Sequence, residues 1–245
     1  MSYTCKMKLK VIQQNVCGRE MYERNWSIQD YKELIKELKD KDPDIIFLTE
    51  FYYQQMYDVT QKILGEYELI GPISLSEYDA NRKDLYATCV LAIKRTKVYK
   101  DKQIKLENML EYRYICVDLS VEKNKTIKML LMYIPQTYNA PKYRIEQKRK
   151  MIHSASIYAE NNSNTLLFVG GDMNSDIDGK TTACIDEFEK LYNKMQDTDC
   201  KKEATWKGKR LDYALVNGIM GNSASTTPIK NRSDHKGLQT ILELN

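Results

Sequence analysis

Asp172 and Asn174 follow the apolar run Leu166-Leu167-Phe168-Val169 through the pair Gly170-Gly171. A buried strand that ends in two glycines and then presents a carboxylate and a carboxamide is suited to hold polar chemistry at the edge of a sheet. Turns rich in Gly, Asp and Asn have the same composition for backbone reasons alone, so the segment gains its meaning from others like it. Asn15 follows Leu9-Lys10-Val11-Ile12, and Glu50 follows Ile45-Ile46-Phe47-Leu48. Asp212 interrupts Leu211-Asp212-Tyr213-Ala214-Leu215-Val216, while Asp234 and His235 precede Leu238-Gln239-Thr240-Ile241-Leu242. Carboxylates seldom face a core unpaired, so a set of them at strand ends predicts one shared site. Its side chains suit proton transfer and ligation of a hard cation through oxygen.

The ordered blocks Gln14-Asn15, Thr49-Glu50, Tyr133-Ile134-Pro135-Gln136, Gly171-Asp172-Met173-Asn174, Arg210-Leu211-Asp212-Tyr213 and Ser233-Asp234-His235 resemble the endonuclease/exonuclease/phosphatase family, which includes DNase I and exonuclease III. The blocks span nearly the whole chain. The resemblance implies a DNase I-like four-layer α/β sandwich, with two packed mixed β-sheets flanked by helices, and hydrolysis of a phosphodiester. Such an ester is anionic, so attack by water needs cations at the phosphate, a base for the water and help for the leaving oxygen.

On that resemblance Asp172 is the base, Asn174 positions the water or the phosphate, and His235 contacts the phosphate with Asp212 holding its ring in one tautomer. Glu50 and Asp234 are the acidic metal-site residues, and Asn15 is the amide beside metal or phosphate. Mg²⁺ is the expected cofactor, with Mn²⁺ as a substitute. Tyr133 would contact the scissile phosphate, and Gln136, Trp206 and Arg210 are expected to bind substrate. Trp206 in Ala204-Thr205-Trp206 is placed either to stack on a base or sugar or to pack in the core. A histidine in the block now held by Tyr133 is more usual in branches acting on lipid or inositol phosphates, so its absence favours DNA. Three departures argue against a strong abasic-site preference or a full metal set: Thr49-Glu50-Phe51 at the second block, Cys17 where an acid often stands, and Lys209 in place of an aromatic. The alternatives are hydrolysis of inositol phosphates or phospholipids and, in a different class, a nucleic-acid-binding accessory protein without turnover.

The elements that must position these groups follow from periodicity. Strands are predicted over 7–14, up to Glu50, over 88–93, 112–119 and 127–133, up to Asp172, around Asp212 and over 238–242. Ile28, Tyr31, Leu34, Ile35 and Leu38 recur at helical spacing behind Ser27 as N-cap, and Asp42-Pro43-Asp44 stops that helix. Further helices are predicted over 53–64, 143–159 and 186–195. The segments 71–84 and 220–232 read as surface loops over the site.

With 245 residues, 42% of them hydrophobic, the chain suffices for one domain over 1–245, and no linker or repeat divides it. The net charge of +4, from 38 basic and 34 acidic residues, does not by itself identify a nucleic-acid binder. The cluster Lys142, Arg144, Lys148, Arg149 and Lys150 reads as a solvated helix face, and Lys207, Lys209 and Arg210 as a phosphate-attracting rim. Six dispersed cysteines, at 5, 17, 89, 116, 184 and 200, read as buried small hydrophobes in a reducing compartment and not as zinc ligands. His153 reads as an ordinary helix residue. There is no P-loop, Gly-x-Ser-x-Gly or His-Glu-x-x-His motif. No apolar stretch approaches membrane-spanning length, so a cytoplasmic monomer without stable membrane association is expected.

Overall fold

The computed structural model describes residues 7–23, 25–73, 75, 88–121, 125–179, 183–217 and 222–245. The chain opens with β1 (Met7–Asn15), the short α1 (Gly18–Tyr22), α2 (Ile28–Lys39), β2 (Ile45–Phe51) and α3 (Tyr53–Ile63). Then come β3 (Tyr67–Ile70), β4 (Thr88–Lys94), β5 (Val98–Gln103), β6 (Tyr114–Val121) and β7 (Lys125–Tyr133). α4 (Lys142–Asn161), β8 (Leu167–Asp172), α5 (Ile185–Tyr192), β9 (Gln196–Asp197), β10 (Asp212–Val216), β11 (Ser223–Ile229) and β12 (Gly237–Leu244) complete it. Two six-stranded sheets result, in the orders β11-β12-β1-β2-β4-β3 and β5-β6-β7-β8-β10-β9. Both are mixed, because β1 pairs parallel with β2 and β7 parallel with β8 while the other pairs are antiparallel.

Alternation along the strands creates three cores. One face of each sheet points at the other sheet: Leu9, Val11, Ile45, Phe47, Met129, Leu131, Phe168, Ala214 and Val216 meet there. The outer face of the first sheet packs its Ile12, Ile46, Leu48 and Val90 against Leu34, Ile35 and Leu38 of α2 and Met56 of α3. The second sheet's outer face does the same with Met151, Ile152 and Ala155 of α4 and Phe188 of α5. Burying each such side chain contributes about 1.5–3 kcal/mol, and the helices on the outside make the four layers. α2 starts with the predicted cap: Ser27 and Asp30 form a reciprocal capping box.

Two glycines allow the layers to close at β8. A Cβ on Gly170 would collide with the Gln13 amide of the opposing sheet, and one on Gly171 with the Met132 carbonyl oxygen beside it. Gly171 also has φ 120°, a conformation that side chains resist.

The segment 220–232 departs from its predicted loop. Its middle is β11, an edge strand antiparallel to β12. Ser, Thr and Pro228 suit an exposed edge, and tertiary pairing outweighs weak strand propensity. The predicted loop 71–84 lies outside the described residues except for 71–73 and Leu75. Cys17, Cys89, Cys116 and Cys184 are buried and unpaired, Cys200 is exposed, and Cys5 lies outside the described residues. His153 is an exposed residue of α4. Among the described residues no helix is long and apolar enough to cross a membrane.

Candidate active site

Parallel strands contribute their last residues to one end of the sandwich, and antiparallel strands their first. Asn15, Glu50, Tyr133 and Asp172 stand at the carboxyl ends of β1, β2, β7 and β8, Asp212 opens β10, and His235 lies two residues before β12. The two-residue period of a strand carries the inward face from core to site: Leu9, Val11, Gln13, Asn15 along β1; Phe168, Gly170, Asp172 along β8; Val216, Ala214, Asp212 back along β10. The polar groups cap the inter-sheet core at one end.

At the centre, Asp172 and Asp212 are directly opposite in the β8–β10 pair. Both are buried, and His235 Nδ1 lies 2.9 Å from Asp212 Oδ2. Ligand atoms of Asp172, Asp212 and His235 all fall within 4.8 Å of one another. Asp172 accepts from the Asn15 amide at 3.1 Å and from the backbone N–H of Asn174 at 2.9 Å. Burial, and then the neighbouring Asp212 charge, push the Asp172 carboxyl up to about 7. Burial works to depress the His235 imidazole, but the charge and hydrogen bond of Asp212, with Asp172 and Asp234 adding, raise it to about 10. Two mutually repelling carboxylates thus face an imidazole held as a cation at neutral pH.

Glu50 forms one wall. It occupies the left-handed region, φ 51°, at the irregularity between Thr49 and Phe51 in the β2–β4 pairing. The Tyr133 hydroxyl donates to Glu50 Oε1 at 2.9 Å, and burial followed by the Glu50 charge holds this phenol well above its ordinary value. The Arg113 guanidinium stacks 4.5 Å above the Tyr133 ring. Its buried Nη1 has no hydrogen-bond partner among the described residues.

Asp234 forms the opposite, exposed wall. Cys17 Sγ donates to its Oδ1 at 2.8 Å and Trp206 Nε1 to its Oδ2 at 2.9 Å. Cys17, where an acid was expected, therefore bonds to a carboxylate, and burial together with Asp234 keeps its thiol protonated. The Trp206 ring is half-buried, 6.0 Å from the His235 ring and with Lys207 Nζ 4.7 Å from its own centroid. Trp206 is therefore not a buried core residue but a half-buried one beside His235.

Arg210 departs from its expectation, and the hydrogen bonds of Asn174 and Asn15 define how those two amides are held. Arg210, expected to bind substrate, is 3% exposed; its Nη2 donates to Asp197 Oδ1 at 2.7 Å and its guanidinium stacks 4.5 Å from the Tyr213 ring. It braces β10 and has no free face for a ligand. Asn174 donates its amide to the Ile134 carbonyl at 3.0 Å, so its Oδ1, not its amide nitrogen, is left for a water. Asn15 uses both ends of its amide, donating to Asp172 and accepting from Cys17 N at 3.0 Å. Gln136 is exposed on the loop beyond β7 and is not brought into this hydrogen-bonded group. Lys209 is exposed and pairs through its backbone with Trp206.

Sequence reasoning missed Arg113 and Thr205, and it read Lys148 as part of a solvated helix face although this residue is buried. Thr205 Oγ1 accepts the N–H groups of Leu211 and Asp212, at 3.0 and 3.2 Å, and so sets the start of β10. Thr-Trp was the available signal for Thr205; Arg113, just before β6, and Lys148, within α4, carried none.

The donor set fits a divalent cation. Asp172, Asp212, Glu50 and Asp234 gather four carboxylates at one end of the sandwich, and the first two are buried directly opposite each other. Oxygen donors of this kind suit a hard ion.

The fold matches solved structures at low identity. The human Nocturnin catalytic domain, solved with a bound sulfate anion, matches with TM-score 0.73 and 16% identity, over 98% of this chain and 97% of that one. TDP2 of D. rerio, complexed with a single-strand DNA product, matches with TM-score 0.72 and 14% identity, over 96% and 98%. Truncated Caenorhabditis elegans TDP2 matches with TM-score 0.66 and 18% identity, over 97% and 98%. No curated protein matches the sequence. The model of the Endonuclease/Exonuclease/phosphatase family matches residues 12–235, and with these six strand ends converging on one acidic centre, the chain belongs to that family.

Proposed function

We propose that the protein is a Mg²⁺-dependent phosphodiesterase that cleaves DNA strands by attack of water on the phosphodiester. The observation that carries the reading is the buried Asp172–Asp212–His235 group, with ligand atoms within 4.8 Å. It joins a carboxylate of raised proton affinity to a cationic imidazole, which are a base for water and a charge for the phosphate.

Asp172, oriented by Asn15 and by the Asn174 N–H, takes the proton of the water, and Asn174 Oδ1 accepts that water's other hydrogen. His235, held at Nδ1 by Asp212, directs Nε2–H at a phosphate oxygen. Tyr133 holds Glu50 in place. Glu50 would hold the metal, with Asp234 as the second acidic contact; when bound, the ion supplies Lewis-acid neutralisation of the phosphate charge. Trp206 offers a face on which a base or sugar stacks. A D. rerio TDP2 crystallised with a single-strand DNA product supports a nucleic-acid substrate for this fold.

The test is a panel in Mg²⁺: plasmid DNA, linear duplex, single strand, abasic duplex, RNA and inositol phosphates. DNA cleavage without strong abasic preference is expected. Intact DNA alongside turnover of an inositol phosphate would replace this reading with the small-phosphoester one.

A further inference from the structure

α4 buries a lysine within an otherwise solvated basic face. Lys142, Arg144, Arg149 and Lys150 are exposed as expected, whereas Lys148 is 0% exposed. Among the described residues its ammonium makes one hydrogen bond, 2.7 Å to the backbone carbonyl oxygen of Asn174. The acidic groups acting on it are Cys184 and Asp172, and it forms no ion pair among the described residues. An ammonium has three donors, and leaving a buried one without a counter-ion is destabilising. One hydrogen bond offsets only part of that cost. An apolar side chain would serve the core here at least as well, so the reason for the lysine has to be sought where its nitrogen points.

It points at the turn that carries the candidate base. Asn174 is left-handed, φ 44°, a conformation that a non-glycine residue adopts at some cost. Most polar groups of the turn are committed, Asn174 Oδ1 being left over. Met173 N donates to Leu211 O, Asn174 N to Asp172 Oδ1, Asn174 Nδ2 to Ile134 O, and Ser175 Oγ to Met173 O. The Asn174 carbonyl is taken by Lys148.

We propose that Lys148 is a positioning residue: by holding the Asn174 carbonyl from behind the sheet, it fixes the turn that aims the Asn174 N–H at Asp172 and Asn174 Oδ1 at the reacting water. The effect on turnover rests on the phosphodiesterase reading; the effect on the turn does not.

Two substitutions in the full chain test it: Lys148→Met, of similar length without a donor, and Lys148→Gln, which restores a neutral donor. In Lys148→Met, amide exchange at 173–175 should accelerate at least about tenfold while other core amides keep their protection. Its kcat on whichever phosphoester the wild type hydrolyses should fall about 10–100-fold with KM within about twofold, and its melting temperature should not drop. Lys148→Gln should recover part of both losses. Unchanged exchange at 173–175 in Lys148→Met would overturn the proposal. So would wild-type kcat in that variant, or a kcat loss that merely tracks a fall in melting temperature or a failure to fold. If the wild type hydrolysed nothing in the panel, the functional reading would fail, and the exchange measurement would still decide whether Lys148 clamps the turn.

Discussion

Asp172 and Asp212 face each other across a strand pair, where like charges are destabilising. Folding alone gives no reason to bury both, whereas a site for a cation and a proton acceptor does. Asp172→Asn should therefore raise the melting temperature while lowering turnover by at least about a hundredfold. Thermal denaturation beside a rate assay checks it, and near wild-type turnover in the folded variant would refute the assignment of the base. Asp172, Asp212, His235 and Glu50 were legible because polar residues that end apolar runs stand out against the pattern. Arg210 was misread because a basic residue beside Lys207 and Lys209 looks exposed. What buries it is Asp197, thirteen residues away, and the Tyr213 ring, a tertiary contact invisible to local pattern.

At the scale of elements, β8 and α4 aim the centre. Gly171→Ala would drive a Cβ into the Met132 carbonyl and strain a positive φ, so it should cost about 3 kcal/mol or more in urea unfolding; an unchanged midpoint would contradict this packing of β7 on β8. α4 gives a pH prediction. Burial lowers the Lys148 amine to about 8 from 10.5, so between these values the unfolded chain binds the proton that the folded chain has released. Stability then rises with pH across that window, by up to about 3 kcal/mol, relative to Lys148→Met. Unfolding free energies of the two proteins at pH 7.5 and 10.5 measure the difference, and parallel profiles would show that the amine is not held in a low-dielectric site. Strongly apolar strands and the capped α2 were readable in advance. β11 was not, because Ser, Thr and Pro take strand geometry there only through pairing with β12.

For the whole molecule, two sheets of the same plan each place a parallel pair, β1 with β2 and β7 with β8, so that the carboxyl ends meet at one edge of the shared core. The family's fold was legible from ordered blocks spread over the chain, but the order of the sheets was not, since β3, β5, β9 and β11 lack a distinctive pattern. With a net charge of only +4, attraction of the proposed DNA substrate would have to be local, and Lys207 and Lys209 are exposed beside Trp206. Binding should weaken with salt, and Lys207→Gln or Lys209→Gln should each reduce the log–log slope by about 1; a slope unaltered by both would remove them from the substrate path. The central claim, metal-assisted hydrolysis at the carboxylate-and-histidine centre, meets its most direct test in one titration. A labelled DNA strand is incubated with chelated wild type and Glu50→Gln while Mg²⁺ is added back. The account predicts no cleavage without metal, recovery with Mg²⁺ or Mn²⁺, and a higher metal requirement for Glu50→Gln. Cleavage that survives chelation, or recovery with zinc alone, would contradict it.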